Sequence, residues 1–127
     1  METRKHEAAE KKRCRSHNCA QAIVCTYCDK TGLDEATSMS VARAFGAGMG
    51  SMEGTCGALV GAGIVISLVD KEKSRAMKDM RQVMTKFLER NGATQCKLLK
   101  GTETGKVLRE CPDCVADAAE FLEEIIF

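Results

Sequence analysis

The sequence predicts an all-α protein: a compact bundle of about five or six helices, with a glycine-rich loop ahead of the central one. Three observations carry this. No stretch sustains the apolar–polar alternation of a strand. Apolar residues recur instead at three- and four-residue spacing in several segments, which puts them on one face of a helix. Alanine, leucine, methionine, glutamate and lysine are plentiful, and the 127 residues include one proline.

The elements follow in order. Glu2 to Arg15 is a mixed-charge stretch of helix formers, expected as a helix with a frayed start and a solvated basic face. Ser16 is a candidate cap for the next helix, with Cys19 at its third position. Ala20, Ile23, Val24 and Tyr27 form its apolar stripe. Cys25 and Cys28 close it as C-x-x-C, either a redox or ligand pair or two small residues on the buried face. Gly32 stops the helix in a left-handed conformation. Asp34 caps a further helix to about Phe45, with Ala36, Met39, Ala42 and Phe45 inward.

The glycine loop Gly46-Ala47-Gly48-Met49-Gly50 comes next. It lacks the third glycine of a dinucleotide fingerprint, a P-loop lysine and a preceding strand, so nucleotide binding is rejected. Its glycines are expected to allow close approach to Cys56. Thr55 is the candidate cap of the central apolar helix, about Ala58 to Val69, with Cys56 in the first turn. The amides and dipole of that turn favour thiolate over thiol. Gly57 and Gly61 lie four apart, and with Ala58 and Ala62 they admit another backbone at close range.

Asp70 to Arg75 reads as an exposed charged connection. Ala76 to Arg90 is amphipathic, with Met77, Met80, Val83, Met84, Phe87 and Leu88 as core, and Asn91-Gly92 ends it. Thr94 caps a short helix with Cys96 at its second position. Gly101 to Lys106 is a polar loop. In the last helix Cys111 takes the cap, Pro112 the first position and Cys114 the third. Its stripe is Val115, Ala118, Ala119, Leu122 and Ile126, and Asp117, Glu120, Glu123 and Glu124 read as solvated.

One domain is expected over residues 1–127, with 1–15 its frayed start. The net charge is +1 at pH 7, so nothing in the composition favours nucleic acid. The charged start has no apolar segment like that of a signal peptide, and Gly57 to Val69 is too short to span a bilayer. The expectation is a cytoplasmic protein with no membrane span. Eight cysteines in such a chain point to metal binding or redox chemistry. His6 and His17 read as isolated surface histidines, and Cys14 as a spare thiol.

Cys19, Cys56, Cys96 and Cys114 each follow a plausible cap by a few residues. Four helix starts aimed at one point would form an electropositive pocket for thiolates. That suits a metal held by four sulfurs, or redox thiols of low pKa. Cys111 is the alternative to Cys114.

The chain resembles the C_GCAxxG_C_C family of redox-active proteins. The resemblance rests on Asn18-Cys19-Ala20-Gln21-Ala22, Gly46-x-Gly48-Met49-Gly50, Cys56-Gly57-Ala58-Leu59-Val60-Gly61, Cys96-x-Leu98-Leu99 and Cys111-x-x-Cys114, in that order over about residues 16 to 127. It places the recurrent cysteines on Cys19, Cys56, Cys96 and either Cys111 or Cys114. A similar domain in split-Soret cytochromes implies a [2Fe–2S] cluster. The C-x-x-C-H haem attachment motif is absent, so haem is not carried over. Cys14, Cys25 and Cys28 are additions to the family pattern, and Cys25 and Cys28 leave room for a second metal-binding pair.

Three functions follow as expectations. The first is an electron carrier with an iron–sulfur cluster on Cys19, Cys56, Cys96 and Cys114, serving a redox partner protein. The second is a thiol–disulfide oxidoreductase using Cys56 and Cys19 without metal. The third is a structural zinc domain without turnover. A homodimer is left open.

Overall fold

The computed structural model describes residues 2–127. In chain order its helices are α1 (Lys5–Arg13), α2 (Cys19–Thr26), α3 (Cys28–Thr31), α4 (Glu35–Ala42), α5 (Gly57–Val69), α6 (Lys73–Asn91), α7 (Cys96–Lys100) and α8 (Cys111–Ile126). A 3-10 turn, Arg43–Phe45, and a π turn, Gly48–Met52, connect α4 to α5. Six helices have eight residues or more, so the expected all-α bundle is present, with α3 and α7 as short additions. Among the described residues the one β element is an isolated antiparallel bridge, Thr55 to Gln95. Among the described residues no helix is long and apolar enough to cross a membrane.

α5 is apolar around most of its circumference because it has neighbours on several sides. α2, α3, α6 and α8 all pack on it, while α1 packs on α8 and α4 on α2. Ile23, Val24, Leu59, Val65, Ile66, Val83, Phe87, Val115 and Leu122 make the buried centre. Each such side chain contributes about 1.5–3 kcal/mol by leaving water.

The α2–α5 contact is unusually close. A Cβ on Gly61 would lie 2.8 Å from the Ala20 carbonyl oxygen and 2.9 Å from Ile23 Cβ. A Cβ on Gly57 would lie 2.5 Å from Cys19 Sγ and 2.7 Å from the Phe45 carbonyl oxygen. These two glycines therefore set the spacing of the helices. Gly63, on another side of α5, would meet only the flexible end of Met80 at 3.5 Å.

Several local expectations change in the fold. α6 begins at Lys73, and Met77 and Leu88 are exposed rather than core, because α5 and α8 cover only one side of it. Ala36 is exposed and Ser38 is buried in its place. Asp70, placed in an exposed connection, is buried.

The acidic residues of α8 are not simply solvated. α1 and α6 flank this helix and bring basic partners to it. Glu120 accepts from Arg90 at 2.7 Å and from Lys5 at 2.9 Å, tying α6 and α1 to α8. Glu123 accepts the Arg4 backbone N–H at 2.8 Å and the Tyr27 hydroxyl. Asp117 is buried.

Two outcomes follow from this packing. Gly61→Ala should lower stability by about 1–3 kcal/mol through overpacking, while Gly63→Ala should raise it by about 0.5–1 kcal/mol, the ordinary helix gain; paired urea melts read both. The second concerns acid. The Arg90 and Lys5 contacts hold the Glu120 carboxyl down, from 4.5 to about 2. A depressed pKa stabilises the fold above the unfolded value and is lost as pH falls through the folded one. Glu120→Gln should therefore cost about 1 kcal/mol near neutrality. Its deficit against the parent should shrink below about pH 4.5 and vanish near pH 2, as read by melts across that range.

Candidate redox and metal site

Backbone pairing brings two of the cysteines together. The strand-like residues before α5 run antiparallel to those before α7. The Cys56 N–H donates to the Thr94 carbonyl at 2.7 Å, and the Cys96 N–H to the Gly54 carbonyl at 3.0 Å. Cys19 arrives with α2, held against α5 at Gly57. Cys111 and Cys114 come from the first turn of α8. All five sulfur residues line one small, partly open cavity of about 10 Å³, together with Gly57, Leu99, Lys100 and Arg109. That is about the room of one water, and Cys19, Cys56, Cys96 and Cys114 are buried around it while Cys111 is half-buried.

The caps differ in detail from those read in the sequence. Asn18, not Ser16, caps α2: its side chain accepts the Gln21 N–H at 2.8 Å and Gln21 accepts the Asn18 N–H at 2.9 Å. Cys19 thus takes the first helical position. Cys56 itself occupies the cap of α5, because Thr55 is committed to the bridge with Gln95. Gln95 caps α7 and Cys96 is its first residue. Glu110 caps α8, which moves Cys111 to the first position and Cys114 to the fourth. The common feature survives: every cavity cysteine lies at a helix start.

The glycine loop supports the site from beneath. Ala47, Gly48, Met49 and Gly50 are four consecutive left-handed residues, with φ of 50°, 59°, 67° and 79°. A Cβ on Gly48 would lie 2.5 Å from Cys96 Cβ, and one on Gly46 would lie 2.6 Å from Asn18 Cβ. The close approach is therefore to Cys96 and Asn18 rather than to Cys56.

The electrostatics separate the sulfurs. The neighbouring Cys114 side chain is the main cause that holds the Cys56 thiol below its ordinary value; burial opposes this, and the Ala58 and Leu59 amides and the Lys100 charge assist it. The proximity of Cys56, with burial, pushes Cys114 up, and the Cys114 thiol donates to the Arg109 carbonyl at 3.8 Å. Burial raises Cys19 and Cys96. Burial also works against the Lys100 ammonium, but the charges of Cys111 and Cys96 outweigh it and hold its pKa up.

A basic rim surrounds the cavity. Lys12, Arg43 and Lys100 border an open pocket beside Cys19 and Cys111. Lys12, Arg13, Arg15, Lys100 and Arg109 border a second one beside Cys111. Arg13 pairs with Glu10 and Arg109 with Asp117, while Lys12, Arg15, Arg43 and Lys100 pair with no carboxylate among the described residues.

The chain matches the family model described as Putative redox-active protein (C_GCAxxG_C_C) over residues 17–125. It belongs to this family. No curated protein and no solved structure matches it. The C_GCAxxG_C_C match runs from just before Cys19 to near the end of α8 and so spans all five cavity cysteines.

The remaining cysteines of this C_GCAxxG_C_C chain stand apart. Cys14 is exposed. Cys25 and Cys28 do not share one helix, since the helix is interrupted at Tyr27, between α2 and α3. Cys25 is buried beside His17 and Glu35, whereas Cys28 opens α3. His17 is not an isolated surface residue: its Nε2 lies 3.2 Å from Glu35 Oε1.

Sequence reasoning did not single out Lys100, Arg109 or Asp117. Lys100 follows Cys96 by four residues, so helical spacing alone could have placed it on the Cys96 face. Asp117 had no such signal. It receives Arg109 Nε at 2.9 Å, Arg90 at 2.9 Å and Asn91 at 3.1 Å, and so holds Arg109 at the cavity wall. Asp117→Asn should cost about 2–3 kcal/mol, because charged hydrogen bonds are lost. It should also speed alkylation of the cavity cysteines in the reduced protein, measured by mass spectrometry, as Arg109 is released.

Proposed function

We propose that this C_GCAxxG_C_C protein carries electrons on an iron–sulfur cluster, of the [2Fe–2S] class, held by Cys19, Cys56, Cys96 and Cys114. The observation that carries the reading is the convergence of helix-start sulfurs on one solvent-poor cavity walled by Lys100 and Arg109. The donor chemistry fits the group, since thiolates are the usual ligands of such clusters. When bound, the cluster would supply reversible one-electron transfer. The residues of the chain do the rest. Helix-start amides and the two cations offset the excess negative charge of several thiolates. The narrow walls leave room for little water.

The spread of the sulfurs favours a cluster over a lone zinc ion. Four thiolates about 2.3 Å from one ion must lie within about 4 Å of each other. Among the described residues, no three of the cavity sulfurs lie within 4.8 Å of one another. A two-metal cluster distributes its ligands in pairs and tolerates more separation.

The basic rim suits an acidic redox partner protein, since complementary charge speeds encounter. A second reading rests on the Cys56–Cys114 pair. Cys56, held below its ordinary thiol value beside Cys114, suits the role of nucleophile in disulfide chemistry without metal. In that reading Cys114 or Cys19, both on the same cavity, resolves the disulfide.

Anaerobic purification with iron and acid-labile sulfide assays tests both. The parent should hold about two irons and two sulfides per chain and absorb in the visible. Cys56→Ser should lose most of both, and Cys14→Ser should lose neither. Cys111→Ser against Cys114→Ser decides the fourth ligand. Colourless, metal-free protein that forms a reversible Cys56–Cys114 disulfide would replace the cluster by the second reading; protein with neither property would sink both.

A further inference from the structure

Outside the cysteine cavity, one other cluster combines metal-ligating chemistry with proximity. His17 precedes α2, Cys25 lies within α2, and Glu35 is the first residue of α4, which packs on α2. One ligand atom from each lies within 4.8 Å of the other two, and among the described residues this is the one such group. We infer that His17, Cys25 and Glu35 form a second metal site, one that takes a single divalent ion of the zinc class.

The donor set chooses the ion. An imidazole nitrogen, a thiolate sulfur and a carboxylate oxygen are all zinc ligands, whereas calcium and magnesium ask for oxygen alone. One thiolate and one carboxylate balance the two charges of the ion, so the filled site is neutral and compatible with burial beside α2. Zinc binding displaces the Cys25 thiol proton to solvent. The imidazole is also prepared for the role. Ser16 Oγ lies 2.7 Å from His17 Nδ1 and orients the ring, which leaves Nε2 turned to Glu35. Ligating histidines commonly have their second nitrogen fixed in this way.

Burial is graded across the cluster. Cys25 is 4% exposed and the His17 side chain 13%, while that of Glu35 is 58% exposed. The thiol and imidazole form the floor, and the carboxylate closes the site from the solvent side. With three protein ligands, the fourth position is left to water or to an incoming ligand. The site shares no residue with the cysteine cavity, so it can load independently of any cofactor there. It also removes Cys28 from the metal pair suggested by C-x-x-C spacing.

The test compares zinc binding in the full chain, reduced and stripped by a chelator, by competition with a chromophoric zinc indicator. The cavity cysteines contribute equally to every sample, so the variants are read as differences from the parent. Cys25→Ala should bind one equivalent fewer than the parent. His17→Gln and Glu35→Gln should weaken that equivalent at least tenfold. Glu35→Gln changes an exposed side chain and keeps the fold, which covers the case in which Cys25→Ala does not fold. A second measurement maps alkylation of Cys25 by mass spectrometry, and zinc should slow it at least tenfold in the parent but not in Glu35→Gln. Equal stoichiometry and affinity in parent and Glu35→Gln would overturn the site, as would Cys25 alkylation that zinc leaves unchanged.

Discussion

The close contact between α2 and α5 is the constraint on which the rest depends. Gly57 and Gly61 leave no Cβ where one would strike Cys19, Ala20, Ile23 or the Phe45 carbonyl. At that separation the starts of α2 and α5 lie side by side, and Cys19 and Cys56 face one cavity. A larger residue at either glycine would push the helices apart and separate the sulfurs in the same motion. Packing and site geometry are therefore one interaction. The bridge between Thr55 and Gln95 then fixes α7 to the same point, so that Cys96 joins without a long helix of its own to position it.

Charge is distributed around this centre in a graded way. The cavity gathers several groups that can become anionic, which repel one another when buried. The fold answers with helix-start amides, with Lys100 on the turn of α7, and with Arg109 held by Asp117. Asp117 also receives Arg90 and Asn91, so a single buried carboxylate links α6, α8 and the segment leading into α8. The neighbouring thiols Cys56 and Cys114 shift in opposite directions, Cys56 down and Cys114 up. Outside the cavity, unpaired cations remain on the rim, where water solvates them.

The candidate site was largely legible because its chemistry is written in residue types. Cysteines just after turn residues and ahead of apolar runs mark helix starts, and Cys19, Cys56, Cys96 and Cys114 do line one cavity. What failed was register. Ser16 and Thr55 have good capping side chains, but Asn18 forms a reciprocal box with Gln21 and Thr55 is drawn into a backbone bridge. Both outcomes depend on partners that local spacing cannot reveal. The polar supports were less legible still. Asp117 and Glu123 sit off the apolar stripe of α8, which ordinarily means solvent; here α1 and α6 pack beside α8 and cover them.

By itself the sequence determined that the chain is helical, where its long helices run, and that several cysteines sit at helix starts. These properties are local: periodicity, turn residues and residue type act over a few positions. Only the tertiary structure decided which thiols meet. It added Cys111 to the cavity, separated Cys25 from Cys28, and set Cys25 beside His17 and Glu35. The reason is that convergence depends on helix separation and crossing. Those are set by long-range contacts, such as Gly61 on Ala20 and Thr55 on Gln95, between residues far apart in the chain.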